Sequence, residues 1–463
     1  MLRPSLVSFL LLGCVSAASL PPPQDQKLAR DIFKQMIEVR SGYTTGSTTP
    51  VAETVASRLR EAGFPDADIF VGGPIPTKHN LVARYRGTGT KRPILLLAHS
   101  DVVEARREDW SMDPFQLTEK DGYFYGRGTS DDKAQAAVWV ANLLRYKREG
   151  LKPDRDIIVA LTADEEGGGP YDGVQWLLRN KRELIDAELC LNEGGRGDMT
   201  GSGTKVANDV QLSEKYVVNF RLEVRNKGGH SSIPVADNAI YHLAGALQRL
   251  SNFAFPIETN DVTRAYFEQL ANIENTEIKS ELVKVAAGDK AAMERVAADS
   301  PVWNSMLRTT CVATELEAGH AKNALPQLAV ANVNCRVLPD ETVQYVQNSL
   351  EKVFSDGQVK VNIPEAVVHG PASPWNRDLM KTIARVTDMV WPGVPILPIM
   401  VTGATDGLYL RNAGVPTYGV QGFFIERGDF RAHGRDERMP VASFYEGQTF
   451  LYELVKALVT DSR

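Results

Sequence analysis

His99-Ser100-Asp101 follows an apolar run, Ile94-Leu95-Leu96-Leu97-Ala98. Such a run reads as a buried strand. The three polar residues then stand at its carboxyl end, where open α/β sheets meet their ligands. His99 offers an imidazole nitrogen suited to Zn2+. Asp101, two positions on, is placed to accept the other ring N–H, which fixes the tautomer and raises ligand basicity. Alone, a His-x-Asp is more often a surface loop, but the pattern recurs. Asp131 lies in Gly126-Arg127-Gly128-Thr129-Ser130-Asp131-Asp132-Lys133, a turn whose glycines permit close approach of backbone to an ion. A second apolar run, Ile157 to Leu161, opens into Thr162-Ala163-Asp164-Glu165-Glu166-Gly167. Adjacent carboxylates repel, and an apposed cation relieves them. One acid on a metal beside one that moves protons is the division of labour in metal-assisted hydrolysis; an acidic loop is the plain alternative. A third run, Ala187 to Leu191, delivers Asn192-Glu193-Gly194. Among the remaining histidines, His433 in Ala432-His433-Gly434 is the best further ligand. His242 sits within a helical pattern, and His79 reads as a surface residue before a strand.

These motifs, in this order from about residue 27 to 460, resemble a dizinc metallohydrolase family. That family includes aminoacylase-1, the bacterial folate-cleaving glutamate carboxypeptidase, acetylornithine deacetylase and succinyl-diaminopimelate desuccinylase. The resemblance implies two Zn2+ per chain, with Co2+ or Mn2+ as alternatives. Asp131 would bridge them, His99 and Glu193 would complete one site, and Glu166 and His433 the other. It implies Glu165 as general base, Asp101 behind His99, and a cis peptide between Asp131 and Asp132. Gly228-Gly229-His230 resembles the family's substrate-contacting His motif, and Asn323 and Arg336 its Asn and Arg anchors. A guanidinium fork suits a substrate carboxylate; pairing with a structural acid is the alternative for Arg336. In dimeric relatives the lid His reaches the neighbouring cleft, so His230 is expected to serve an oxyanion across a homodimer. The implied activity is cleavage of an amide or peptide bond in a small peptide or N-acyl amino acid with a free carboxylate, as a carboxypeptidase or acylase. A dipeptidase or aminopeptidase is the alternative, and a non-catalytic ectodomain the remote one.

The positioning elements read as an α/β protein. The resemblance implies a zinc-exopeptidase-like catalytic domain with a mixed, mainly parallel sheet, in two parts (24–212 and 369–463), interrupted by a ferredoxin-like α+β lid and dimerisation domain (213–368). Helices are expected after a Pro-rich linker at 21–23, from Gln26 to about Arg40, then from Thr54 to Gly63 and from Lys133 to Lys147. In the middle of the chain, Tyr216 to Arg225 alternates apolar and polar residues, the mark of an antiparallel strand with one face wet. A helix (236–250), two strands (308–316 and 328–337), a helix (342–354) and a strand (359–363) complete the order βαββαβ. The segment near 252–305 is a mostly helical insertion that covers the lid or shapes the cleft. Cys311 and Cys335 lie twelve residues either side of Asn323. A symmetric hairpin would oppose them, as a disulfide in a secreted protein or as two buried thiols.

Residues 1–18 combine a basic start, a short apolar core and small residues before a cleavage point, a signal peptide. Secretion or a periplasmic location follows. Leu11-Leu12-Gly13-Cys14 leaves open a lipid anchor at Cys14, the one expected route to a membrane. The 463 residues are 43% hydrophobic and 24% charged with net charge −6, globular and without a basic run, so nucleic acid is not an expected partner.

Overall fold

The computed structural model describes residues 20–274 and 277–460. The expected signal peptide and Cys14 lie outside the described residues. Four parallel strands form the heart of a ten-stranded sheet: Ile157–Thr162, Ile94–His99, Leu189–Asn192 and Thr417–Gly419. Every residue of the first three is buried, which is why they read as unbroken apolar runs. Alternate side chains enter two cores. Leu96, Ala98, Val159 and Leu161 join one, while Leu95, Leu97, Ile158 and Ala160 join the other. Antiparallel strands Asn80–Tyr85 and Ile69–Gly72 extend one side of the sheet. On the other side lies Lys205–Glu214, with Ile396–Val401 parallel to it.

Helix Lys133–Glu149 is buried along nearly its whole length. It packs on the sheet beneath Pro23–Ile37 and Val441–Thr460, so its small and apolar residues are needed all round. The first helix begins at Pro23, earlier than the expected Gln26, since proline suits a helix's first turn. The second spans Thr49–Glu61, with Pro50 in its first turn, rather than starting at Thr54.

The lid is a separate four-stranded antiparallel sheet ordered Thr310–Ala318, Leu328–Val337, Tyr216–Arg225, Lys360–Asn362. Helices Ala239–Ser251 and Val343–Phe354 cover one face. That is the ferredoxin-like arrangement. Asn238 and Thr342 cap the two helices through side-chain oxygens. Burial alternates strictly along Leu328–Val337. Cys311 and Cys335 are opposed in register and form a disulfide. The chain enters the lid through Lys215 alone, between strands Lys205–Glu214 and Tyr216–Arg225.

Two segments hold more than the sequence led one to expect. The stretch between Ala318 and Leu328 turns at Lys322 and Asn323, as expected, but holds a short strand as well. Ala324–Leu325 pairs with Gly229–His230, because a reach of nine residues is long enough to find a partner of its own. The insertion touches the lid only at its start, where Phe253 and Phe255 join the lid core; its helices, Asp261–Ile273, Ile278–Ala286, Lys290–Asp299 and Pro301–Leu307, do not line the cleft. Its core of Phe267, Leu270, Leu282 and Val296 closes over Leu397 and Ala207, so it caps the outer strands of the catalytic sheet. Among the described residues no helix is long and apolar enough to cross a membrane.

Candidate metal centre and substrate cleft

Parallel pairing sets His99 beside Thr162, which brings the histidine and the acidic loop to one end of the sheet. His99 is 2% exposed. Its Nε2 lies 2.9 Å from Asp131 Oδ1 and 3.9 Å from Glu193 Oε1. His433 Nε2 lies 3.2 Å from Asp131 Oδ2 and 3.1 Å from Glu166 Oε2. Each Asp131 oxygen therefore faces a different imidazole. Two clusters result, His99–Asp131–Glu193 and Asp131–Glu166–His433, each with its donor atoms within 4.8 Å of one another. The Asp131–Asp132 peptide is cis.

The electrostatics ask for cations. Burial first, then the charge of Glu193, pushes the Glu165 carboxyl well above its ordinary range. Burial does the same for Glu193. Hydrogen bonds to Asp131 and Glu166 raise His433 to about 10. Although burial opposes it, His99 is held well above its usual value by Asp101 and Asp131. Each cluster offers one imidazole nitrogen and carboxylate oxygens, a donor set that fits Zn2+. Glu165 belongs to neither cluster.

Asp101 departs from expectation in one respect. Its backbone oxygen lies 3.1 Å from His99 Nδ1, while its carboxylate is 3.7 Å away. The carboxylate instead accepts the backbone N–H groups of Glu165 (3.2 Å) and Glu166 (3.1 Å). One residue thus orients the imidazole through its main chain and the acid pair through its side chain.

Glu165, Glu166 and His433 line a cleft of about 620 Å³ whose opposite wall is the lid, with Arg336, Asn219 and Val217. Arg336 is partly buried, and burial lowers its pKa. Among the described residues no carboxylate pairs with its guanidinium, so the structural-acid alternative has no partner. His230 and Asn323 are not brought to this cleft. They sit together on the exposed short ladder, where Ser231 N–H donates to the Asn323 carbonyl at 3.0 Å and Ser232 N–H to His230 Nδ1 at 3.2 Å. His230 is thus on a paired segment rather than a free glycine turn.

Several buried polar residues escaped the sequence reading. Asp406 accepts from Thr162 Oγ1 at 2.8 Å and lines the cleft beside Asp172. Burial pushes it up to about 6. Its Thr-Asp-Gly setting in a loop after an apolar strand was the available signal. Glu437, fully buried, holds the turn that carries Asp131. Its one signal was its place four residues after His433.

The family description "Peptidase family M20/M25/M40" matches residues 95–457, and the chain belongs to that family. It is 31% identical over 389 residues to the N-fatty-acyl-amino acid synthase/hydrolase PM20D1 of Homo sapiens, covering 80% of this chain and 75% of that protein. It is 27% identical to the probable carboxypeptidase S-like 2 of Dictyostelium discoideum, over 85% of this chain and 77% of that one. The fold matches the M20 family metallo-carboxypeptidase Sso-CP2 of Sulfolobus solfataricus with TM-score 0.70 at 17% identity, over 92% of this chain and 98% of that one. The chain is a metal-dependent hydrolase acting on amide bonds.

Proposed function

We propose that this chain is a dizinc hydrolase that cuts the amide bond of N-acyl amino acids, or the last peptide bond of a short peptide, and requires a free carboxylate next to that bond. The observation that carries the reading is Arg336, a cation that pairs with no carboxylate among the described residues, in the cleft that also holds Glu165. The relatives' names support the acyl-amino-acid and carboxypeptidase classes.

His99, Asp131 and Glu193 would hold one zinc, and Asp131, Glu166 and His433 the other. When bound, the ions supply Lewis acidity, polarising a carbonyl and lowering the pKa of water. Arg336 pairs with the substrate carboxylate and sets the scissile bond against Glu165. Glu165 takes a proton from the attacking water and passes it to the leaving amine, a task open to a carboxyl that lines the cleft and belongs to neither cluster. Asp101 fixes the Glu165 backbone during both transfers. His230, exposed on the lid, donates a hydrogen bond to the developing oxyanion of a second copy's cleft within a homodimer. Secretion fits the N-terminal sequence and the Cys311–Cys335 bond, which persists in oxidising compartments.

Zinc-loaded protein should be offered N-acyl amino acids, their carboxamides, blocked dipeptides and free dipeptides, with products identified by mass. Turnover confined to substrates with a free carboxylate beside the cut amide, and indifferent to a free amine, supports the reading. Preference for free dipeptides through their amino group would replace it with a dipeptidase.

A further inference from the structure

The two metal clusters share Asp131, yet their histidines come from distant parts of the chain. His99 ends a buried strand and is held there by the sheet. His433 sits in a loop, with 56% of its side chain exposed. Something must set this loop against the turn that carries Asp131. Glu437, four residues after His433, is buried directly under that turn. Its Oε1 accepts from Ser130 N–H (2.7 Å), Ser130 Oγ (3.0 Å) and Asp131 N–H (3.2 Å). Its Oε2 accepts from Gly128 N–H (3.1 Å) and the Arg127 guanidinium (2.7 Å). Arg127 returns the link, donating to the Gly434 carbonyl at 3.0 Å, and Gly126 N–H donates to the Glu437 carbonyl at 3.1 Å. The segment with His433 and the turn with Asp131 are therefore one hydrogen-bonded unit.

We infer that Glu437 is a positioning residue that couples the two metal sites, fixing the distance between Asp131 and His433 so that the second ion finds a preformed site. The chemistry argues for a carboxylate here. Three converging backbone N–H groups and a guanidinium need an acceptor without protons of its own, and a carboxylate is acceptor-only. An amide would turn an N–H toward donors. The effect should be unequal. The His433 side loses the placement of both Asp131 and His433. The His99 side loses only that of Asp131, because His99 and Glu193 sit at separate strand ends. Partners that orient metal ligands are typically worth 10–100-fold in metal affinity.

The inference rests on reading the two clusters as metal sites, and the test separates the two claims. Stepwise zinc affinities are measured by competition with a chromophoric chelator, Co2+ absorption reports each site, and metal-free stability is followed by urea unfolding. Wild type should bind two ions; if it binds none, the reading of the clusters fails instead. Glu437→Gln should lose roughly 10–100-fold for one ion and no more than a few fold for the other, matching the single-ion pattern of His433→Ala. Because Glu437→Gln leaves Arg127 buried without its counter-ion, the double variant Arg127→Gln/Glu437→Gln removes that charge too. Its stability should recover while the selective loss of one ion persists. Wild-type affinity for both ions in either folded variant overturns the inference. So does zinc binding that returns together with stability in the double variant, which would make Glu437 a purely structural residue.

Discussion

Arg336→Met tests the substrate assignment and carries a double signature. The side chain projects from strand Leu328–Val337 on the face away from the lid helices, and methionine keeps much of its apolar stem. If the guanidinium waits for a substrate carboxylate, removing it breaks a partly desolvated charge pair in the complex. Truncating one partner of such a pair typically costs 2–5 kcal/mol. With the site only partly buried, about 3 kcal/mol is reasonable, or roughly 150-fold in kcat/KM for an N-acyl amino acid. The matching carboxamide never made the pair and should change by less than about threefold. The free protein should respond the opposite way. Arg336 has no anionic partner among the described residues, and burial disfavours its charge, so urea unfolding should show unchanged or increased stability. The assay is kcat/KM on acid and amide pairs of one substrate, with unfolding of the metal-free protein alongside. Equal losses on acid and amide, or a stability loss above about 1 kcal/mol, would show that Arg336 supports the lid rather than the substrate.

Glu165→Gln should keep its metal and lose turnover by at least about 100-fold, the usual weight of general acid–base help, whereas Glu166→Gln should weaken metal binding; reversed phenotypes would exchange the two roles. Lys215 is fully buried at the entry to the lid, and burial lowers it to about 7. Between that value and about 10.5 the unfolded chain holds a proton that the folded one releases, so its contribution to stability rises with pH. Urea unfolding of wild type should therefore gain on Lys215→Met by up to about 1.4 kcal/mol per pH unit from pH 7 to 9, and a pH-independent difference would contradict the lowered value. His230→Ala should retain zinc and lose most of its kcat. Mixing it with Glu165→Gln should then restore part of the activity, since one cleft of a mixed dimer has both groups; mixed dimers without recovery would place His230 outside catalysis in trans.

The readable parts of this molecule are those where local pattern and tertiary environment agree. Ile94 to Ala98 and Ile157 to Leu161 are apolar throughout because both faces of the parallel strands are buried. Their polar endings therefore mark the cleft. Strict alternation along Tyr216–Arg225 marked a sheet with helices on one face. The spacing of Cys311 and Cys335 anticipated their register, although the loop between them holds a short strand as well as the turn. What was hidden depends on contacts distant in sequence. The bonds from Glu437 to Gly128 and Ser130 cross more than 300 residues, and no local period signals them. The Asp101 carboxylate turned to the acid loop rather than to His99, a choice set by packing of two strands. Helical composition in 252–305 revealed helices but not their resting place on Leu397, because an amphipathic face names no partner.

The most direct test is the zinc content of gently purified protein measured with its hydrolytic activity, before and after chelation. Two clusters sharing Asp131 predict close to two zinc ions per chain, loss of activity on their removal, and recovery as both are restored; Asp131→Ala should hold almost none. Full hydrolysis by metal-free protein, or full activity with a single ion that survives loss of His433, would contradict the paired metal centre.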